Sequence, residues 1–205
     1  MNRYVDEFLS LRSAPDILAT VGHLGNKPQK EITEAMGIIK YLKRIVIKEP
    51  GKYQVVDLCS GNALVPVIAV HLFPISSAIA IDKLKRERNW KRAERFVYLQ
   101  MDINDIDFNK LSRPTILTAV HSCKNMAEKT IEIYNTTPIV KHMILMPCCI
   151  GNLDTSLLRF IKQEAGNDLA WVTKLALQCK GKVKVGKDNF VMSPKRYIIT
   201  ASKEE

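Results

Sequence analysis

The chain repeats one pattern five times: a short apolar run halts at a polar or acidic residue, and most of the runs are followed by a segment of helical length. Tyr53-Gln54-Val55-Val56-Asp57, Ala78-Ile79-Ala80-Ile81-Asp82 and Phe96-Val97-Tyr98-Leu99-Gln100-Met101-Asp102 end at acids. Thr115 to Val120 ends at His121, and His142 to Met146 ends at Pro147-Cys148-Cys149. Runs this apolar and this short suit strands buried on both faces. Their alternation with helices predicts an α/β fold with a parallel sheet covered on both sides. In open sheets of that kind ligands sit beyond the carboxyl ends of the strands, so the five run ends are predicted to share one ligand-bearing rim.

The intervening segments fit the same plan. Ala63 to Phe73 is apolar almost throughout, as for a helix buried against a sheet. Leu84 to Arg95 predicts a charged helix, Asn125 with Glu128 a capping box, and the residues around Leu157 to Lys162 a further helix. Lys182 to Val191 and Tyr197 to Ala201 predict two strands paired as a C-terminal antiparallel hairpin. Ahead of the first strand, Ile32, Ala35, Met36, Ile39, Leu42 and Val46 recur at helical spacing. Asn26 with Gln29 marks the start of that helix, Pro28 fits its first turn, and Glu49-Pro50-Gly51 breaks it. The expectation is a single domain of 205 residues, with 1–50 a helical segment packed on a core of 51–205.

The rim narrows the ligand. A dinucleotide fingerprint needs three glycines for a close approach to pyrophosphate, and only Gly61 is present, so NAD and FAD fit poorly. A phosphate-binding GxxxxGK[ST] loop is missing, which excludes ATP held in that way. What remains is Asp57-Leu58-Cys59-Ser60-Gly61-Asn62-Ala63, whose small residues let loop backbone pass close to an adenosine ligand. Asp82 lies 25 positions after Asp57 at the end of the second strand, where a carboxylate accepts from both ribose hydroxyls. Asp102, at the end of the third, suits the adenine amino group.

VVDLCSGNA, AIDK and LQMDI resemble the first motif, the ribose acid and the adenine-side acid of the class I S-adenosylmethionine-dependent methyltransferases, a resemblance running over residues 50 to 203. It implies a Rossmann-like class I fold, with a mostly parallel seven-stranded sheet and S-adenosyl-L-methionine as cofactor. The positions it assigns to the cofactor are Asp57, Cys59, Gly61, Asn62, Ala63, Asp82, Lys83, Asp102, Ile103 and His121. Cys59 and Ala63 stand where glycines are frequent in this loop, and both side chains are expected to narrow the space for the methionine part. AVHSCKN and ILMPCCIGN are similar to a narrower subgroup with an H-x-C motif after the fourth strand and Cys-Cys after the fifth. That subgroup includes tRNA ribose 2′-O-methyltransferases, and it implies an acceptor side built from His121, Cys123, Cys148 and Cys149. The Asn-Lys-Pro-Gln-Lys start of the second helix resembles the Pro-Lys-rich helix start that such domains place near the cofactor.

Several chemistries remain open at the acceptor side. His121 suits a general base working near neutral pH, or it orients its loop by hydrogen bonding. Methyl transfer from a sulfonium is an in-line displacement in which positioning supplies much of the catalysis. A thiolate at Cys148 or Cys149 can add to C6 of a pyrimidine and activate C5. The same cysteines can pack as small hydrophobes, or join His121 and Cys123 in a tetrahedral zinc site. His121, Cys148 and Cys149 stand as the catalytic candidates, and no metal is assigned.

Charge points to the partner. Thirty-one Lys+Arg against 21 Asp+Glu give a net charge of +10, which favours a polyanion, RNA with tRNA preferred. Lys83 to Arg95 holds seven of those cations and two glutamates, with Lys85, Arg88, Arg92 and Arg95 spaced for one helical face as a nucleic-acid track. Lys180, Lys182, Lys184 and Lys187 form a second cluster. A separate RNA-binding domain does not fit, so recognition falls to this face or to a protein partner. A small-molecule or protein acceptor, and a non-catalytic binding role, are the other readings. No run approaches the roughly 20 apolar residues of a membrane span. The N-terminal stretch carries charges inside its apolar part, unlike a secretory signal, and five cysteines without a CxxC pair suit a reducing compartment. The expected location is therefore cytoplasmic.

Overall fold

The structure is a computed structural model that describes residues 2–153 and 155–203. Seven strands form one sheet: β1 (Gln54–Leu58), β2 (Ser77–Asp82), β3 (Phe96–Gln100), β4 (Thr115–Ser122), β5 (Val140–Pro147), β6 (Lys182–Lys187) and β7 (Tyr197–Ser202). Their spatial order is β3-β2-β1-β4-β5-β7-β6. The first five are parallel to their neighbours, while β7 runs antiparallel to both β5 and β6. This is the mostly parallel sheet with a C-terminal hairpin that the run pattern predicts, and its connectivity is that of the class I methyltransferase fold. The chain reverses direction across the sheet at β1 and β4, which places a crevice at their carboxyl ends.

Among the described residues there are seven α-helices, α1 (Arg3–Leu9), α2 (Ala14–Val21), α3 (Pro28–Val46), α4 (Leu64–Leu72), α5 (Asn125–Thr136), α6 (Ser156–Ala165) and α7 (Asn167–Gln178), which flank the sheet on both faces, α6 by packing on α7. Strand side chains alternate between faces, and the buried clusters follow that alternation. Val55, Ala78, Ile116 and Ile144 pack with Phe8, Ile17, Leu42 and Ile68 of α1 to α4. Val56, Leu58, Leu117 and Met143 pack with Ile131, Tyr134, Trp171 and Leu175 of α5 and α7. The N-terminal helices are also tied to the hairpin loop: Tyr4 Oη donates to Asp188 Oδ2 (2.6 Å), and Lys40 Nζ lies 3.0 Å from the same oxygen. β6 forms one edge of the sheet, with Lys182, Lys184 and Lys187 exposed.

Four local expectations are corrected. Residues 84–95 form no α-helix, only a 3-10 turn at Trp90–Arg92. The segment lacks an apolar stripe to bury, and tertiary contacts hold it open instead. Trp90 stacks on Tyr98 (4.9 Å between centroids, planes 4° apart), and Tyr98 Oη donates to Leu84 O. α3 starts at Pro28 with Lys27 at its N-cap, so Asn26 does not cap it. α5 has Lys124 at its N-cap, and Glu128 accepts from Lys174 Nζ (2.9 Å) rather than closing a capping box. α7 is an additional helix, and its buried Ala170, Trp171, Val172 and Leu175 complete one face of the core. Among the described residues no helix is long and apolar enough to cross a membrane.

Candidate active site at the rim of the sheet

The loop after β1 turns back on itself through left-handed backbone at Cys59 (φ 53°), Gly61 (φ 53°) and Ala63 (φ 56°). Side chains disfavour that region, which explains why glycine is frequent at the two flanking positions. Ser60 N donates to Ile81 O (3.0 Å) and Gly61 N to Asp82 Oδ2 (2.8 Å), so the loop is fastened to the end of β2. A Cβ built on Gly61 meets nothing within 4 Å, and the loop therefore faces open space there. Of the two side chains expected to narrow the site, only Cys59 reaches it. Ala63, the N-cap residue of α4, is fully buried in the core.

Beside this loop is a cavity of about 350 Å³, within the range of small-ligand sites. Asp57, Cys59, Gly61, Asn62 and His121 of the expected set line it. So do Lys30, Glu31 and Glu34 of α3, together with Arg86. A larger cleft of about 1210 Å³ runs along α1 and α3 past Phe190, but it includes no rim residue and has no converging chemistry.

Asp57 forms the buried floor. Its carboxylate accepts from Thr118 Oγ1 (2.6 Å) and Ser60 Oγ, so it orders the loop from below. Burial pushes its carboxyl up to about 6, against the pull of the two hydroxyls and with a further push from the Asp82 charge. Asp82 accepts from Gly61 N through Oδ2 and from Leu84 N (2.9 Å) through Oδ1. Asp102 accepts from the Asn104 backbone N (2.9 Å) and side-chain Nδ2 (2.8 Å). Asp82 and Asp102 continue the rim on the ends of β2 and β3 rather than lining the cavity. Lys83 is exposed beside Asp82, whereas Ile103 is buried in the core behind Asp102, so its side chain is spent on packing.

The residues from α3 add what the strand ends do not supply. Glu34 is nearly inaccessible, with its Oε1 against His121 Nε2 and 3.2 Å from Lys30 Nζ. Burial raises its carboxyl, but His121 and Lys30 outweigh burial and hold it below the usual carboxylate range. Asn62 Nδ2 donates to Glu31 Oε2 (2.8 Å), while burial raises the Glu31 carboxyl. Sequence periodicity does not mark Glu34: it lies on the side of α3 away from the stripe of Ile32, Ala35, Met36 and Ile39, and is buried only because that side meets the rim.

On the other side of His121, backbone with φ 55° there and 41° at Lys124 brings Cys123 abreast of Cys148 and Cys149. The sulfurs lie 2.7 Å (Cys123–Cys148), 3.1 Å (Cys123–Cys149) and 3.5 Å (Cys148–Cys149) apart. Burial raises the Cys148 and Cys123 thiols. The Cys149 thiol is lowered, by the two neighbouring thiols first and then by the Lys124 and Lys195 charges. His121, Cys148 and Cys149 are thus brought to one end of β4 and β5.

The expected basic track is not one face. Lys85 pairs with Glu87 (2.6 Å), Arg92 with Asp16 (3.0 Å), and Arg88 packs beside Gly22. Arg95 donates to Val70 O (2.6 Å) and to Ile75 O, binding the end of α4. Without a helix, the 3-4 spacing has no common side to occupy.

No curated protein sequence matches the chain. Solved structures with the same fold include two methyltransferase-domain structures of bacterial CtHen1. One is 10% identical with a TM-score of 0.54, covering 84% of this chain and 100% of that one. The other is 12% identical with a TM-score of 0.53, covering 84% and 99%. The plantazolicin methyltransferase BpumL is 11% identical with a TM-score of 0.51, covering 99% and 95%. The sequence model of the family described as "Methyltransferase domain" matches residues 27–156, a span that takes in α3, the β1 loop and all five parallel strand ends. The chain belongs to that methyltransferase-domain family.

Proposed function

We propose that the protein methylates RNA, with tRNA favoured, using S-adenosyl-L-methionine held along the ends of β1, β2 and β3. The observation that carries the cofactor placement is the Ser60-Gly61 turn, fastened by the Ser60 hydroxyl to Asp57 and by Gly61 N to Asp82, which opens onto empty space at Gly61. That donor set fits the cofactor: Asp82 takes the ribose, Asp102 the adenine edge, with Lys83 and Ile103 flanking them. Cys59, Gly61, Asn62 and the Ala63 backbone border the methionine part. BpumL, of the same fold, is a complex with SAH, which supports the same cofactor class.

When bound, the cofactor supplies an electrophilic methyl on a sulfonium. The chain's own groups then position an acceptor for in-line attack and shield it from water. His121 meets Glu34 through Nε2, which leaves Nδ1 to take the acceptor proton as Glu34 steadies the resulting positive charge. Cys148 and Cys149 line the acceptor side beyond it. The narrower likeness in the H-x-C and P-C-C segments supports a tRNA ribose hydroxyl as that acceptor. The net charge of +10 supports RNA more generally, with Lys85, Arg88 and Arg92 on the β2–β3 connection as phosphate contacts. Arg95 adds charge there while holding α4.

Calorimetry with S-adenosylmethionine and S-adenosylhomocysteine tests the first half. Asp82→Ala removes charge-assisted hydrogen bonds and lowers affinity roughly ten- to hundredfold. Failure of the wild type to bind either compound overturns the reading. Labelled cofactor offered with total RNA, protein and metabolite pools tests the second half: label in RNA supports it, and label only in protein or metabolites refutes it.

A further inference from the structure

We propose that Cys123, Cys148 and Cys149 bind one thiophilic cation, zinc foremost, through three sulfurs at the carboxyl ends of β4 and β5, with a fourth position left for water or an incoming group. The three sulfurs converge from two separate loops, and all of them lie within 4.8 Å of one another. Cys123 follows the register shift that aligns Ser122 with Pro147, so the ends of the two strands are offset in the way that brings the loops together. Ordinary packing does not explain the meeting. Thiols that gather as small hydrophobes are buried, whereas Cys123 is exposed and Cys148 and Cys149 are only half-buried.

The donor set selects the ion. Sulfur-only ligation favours zinc or cuprous copper and rejects magnesium, calcium and manganese. A zinc ion about 2.3 Å from each sulfur spaces the sulfurs about 3.8 Å apart, so the triangle has to open by about 1 Å on its shortest edge. Cys123 and Cys149, on loops rather than in the sheet, can supply that movement. His121 is not the fourth ligand, since neither of its ring nitrogens joins the group of ligand atoms that lie within 4.8 Å of one another. Binding is balanced as three thiols giving up three protons to solvent while three zinc–sulfur bonds form, which leaves a net charge of −1. Lys124 and Lys195 act electrostatically on Cys149 and offset that charge. Such an ion clamps β4 to β5 where His121 is carried, and three protein ligands with an open position is the arrangement of zinc sites that also engage a substrate.

The test is titration of the reduced full chain with cobalt(II), a coloured substitute for zinc. The expected result is an intense thiolate-to-cobalt charge-transfer band that saturates at one equivalent and is abolished by added zinc. Cys123→Ser, Cys148→Ser and Cys149→Ser each weaken uptake at least a hundredfold, while Cys179→Ser, at the C-cap of α7 and outside the cluster, leaves it unchanged. Circular dichroism and S-adenosylhomocysteine binding establish that each variant is folded. If Cys148→Ser fails to fold, the two variants at the more accessible positions carry the test. A reduced wild type with no charge-transfer band overturns the proposal. So does an undiminished band in the folded Cys123→Ser and Cys149→Ser variants, or a Cys123–Cys148 disulfide in a protein that takes up no metal once reduced. Each of these readouts is independent of the methyl acceptor.

Discussion

Replacing Asp57 with Asn is expected to stabilise the protein at neutral pH. The carboxyl is fully enclosed at the floor of the β1 loop, and burial lifts it from 3.8 to about 6. An acid bound more tightly to its proton in the fold than in the unfolded chain contributes stability that is fully present below pH 3.8. That stability is lost as pH rises through about 6. The displacement corresponds to about 3 kcal/mol of strain carried by the ionised group at neutrality. Asparagine removes the charge and keeps both partners, because Thr118 still donates to its oxygen and its amide can donate to a reoriented Ser60 hydroxyl. For a chain of this length the gain is a melting temperature higher by roughly 6–12 °C at neutral pH as an upper bound. Thermal and urea denaturation of wild type and Asp57→Asn across the range from pH 4 to 8 give the comparison directly. The gap between them is widest at the alkaline end and closes as pH falls. A variant no more stable than wild type at neutral pH, or a gap that stays constant with pH, refutes the assignment of buried charge as a cost. Retention of so unfavourable a group at the rim is the usual mark of a site that trades stability for activity.

Three further outcomes follow from other parts of the fold. Arg95→Ala removes two charge-assisted hydrogen bonds at the end of α4 and lowers stability by about 1–3 kcal/mol, with RNA affinity changed far less than by Lys85→Glu; denaturation and filter binding separate the two. Asp188→Asn breaks the buried meeting of Tyr4, Lys40 and the hairpin loop and costs about 1–3 kcal/mol in urea unfolding at neutral pH. Burial raises the Asp188 carboxyl, but the bonds from Tyr4, Lys40 and Phe190 N outweigh it and hold it low, so the wild-type margin shrinks as pH falls through the acid range. Gly151→Ala drives a methyl into the Trp171 ring and destabilises by about 1–3 kcal/mol, read as a lower melting temperature at unchanged net charge.

The parallel sheet was legible because buried strands leave continuous apolar runs that stop where the chain leaves the core. All five rim ends emerge from that one signal. The cavity was legible only on its sheet side. Asp57, Gly61 and His121 are marked by their position after a strand, whereas Lys30, Glu31, Glu34 and Arg86 come from elements whose placement depends on how α3 and the β2–β3 connection fold over the rim. The segment from Leu84 to Arg95 shows the converse. Its residues are good helix formers, but propensity yields where there is no apolar face to bury and where Trp90, Tyr98 and Asp16 offer better partners. α7 carried an ordinary helical signal in Ala170, Trp171, Val172 and Leu175, beyond Gly166, and the expectation stopped one helix short of it.

The lysines of β6 bear on how the molecule behaves in company. An outermost strand offers unpaired backbone groups to any strand that approaches, and three ammonium groups along it make such an approach by a second copy electrostatically unfavourable. Their presence is therefore accounted for by colloidal stability before any contact with phosphate is invoked. A crowded, low-salt solution is where their removal would first be felt, as turbidity.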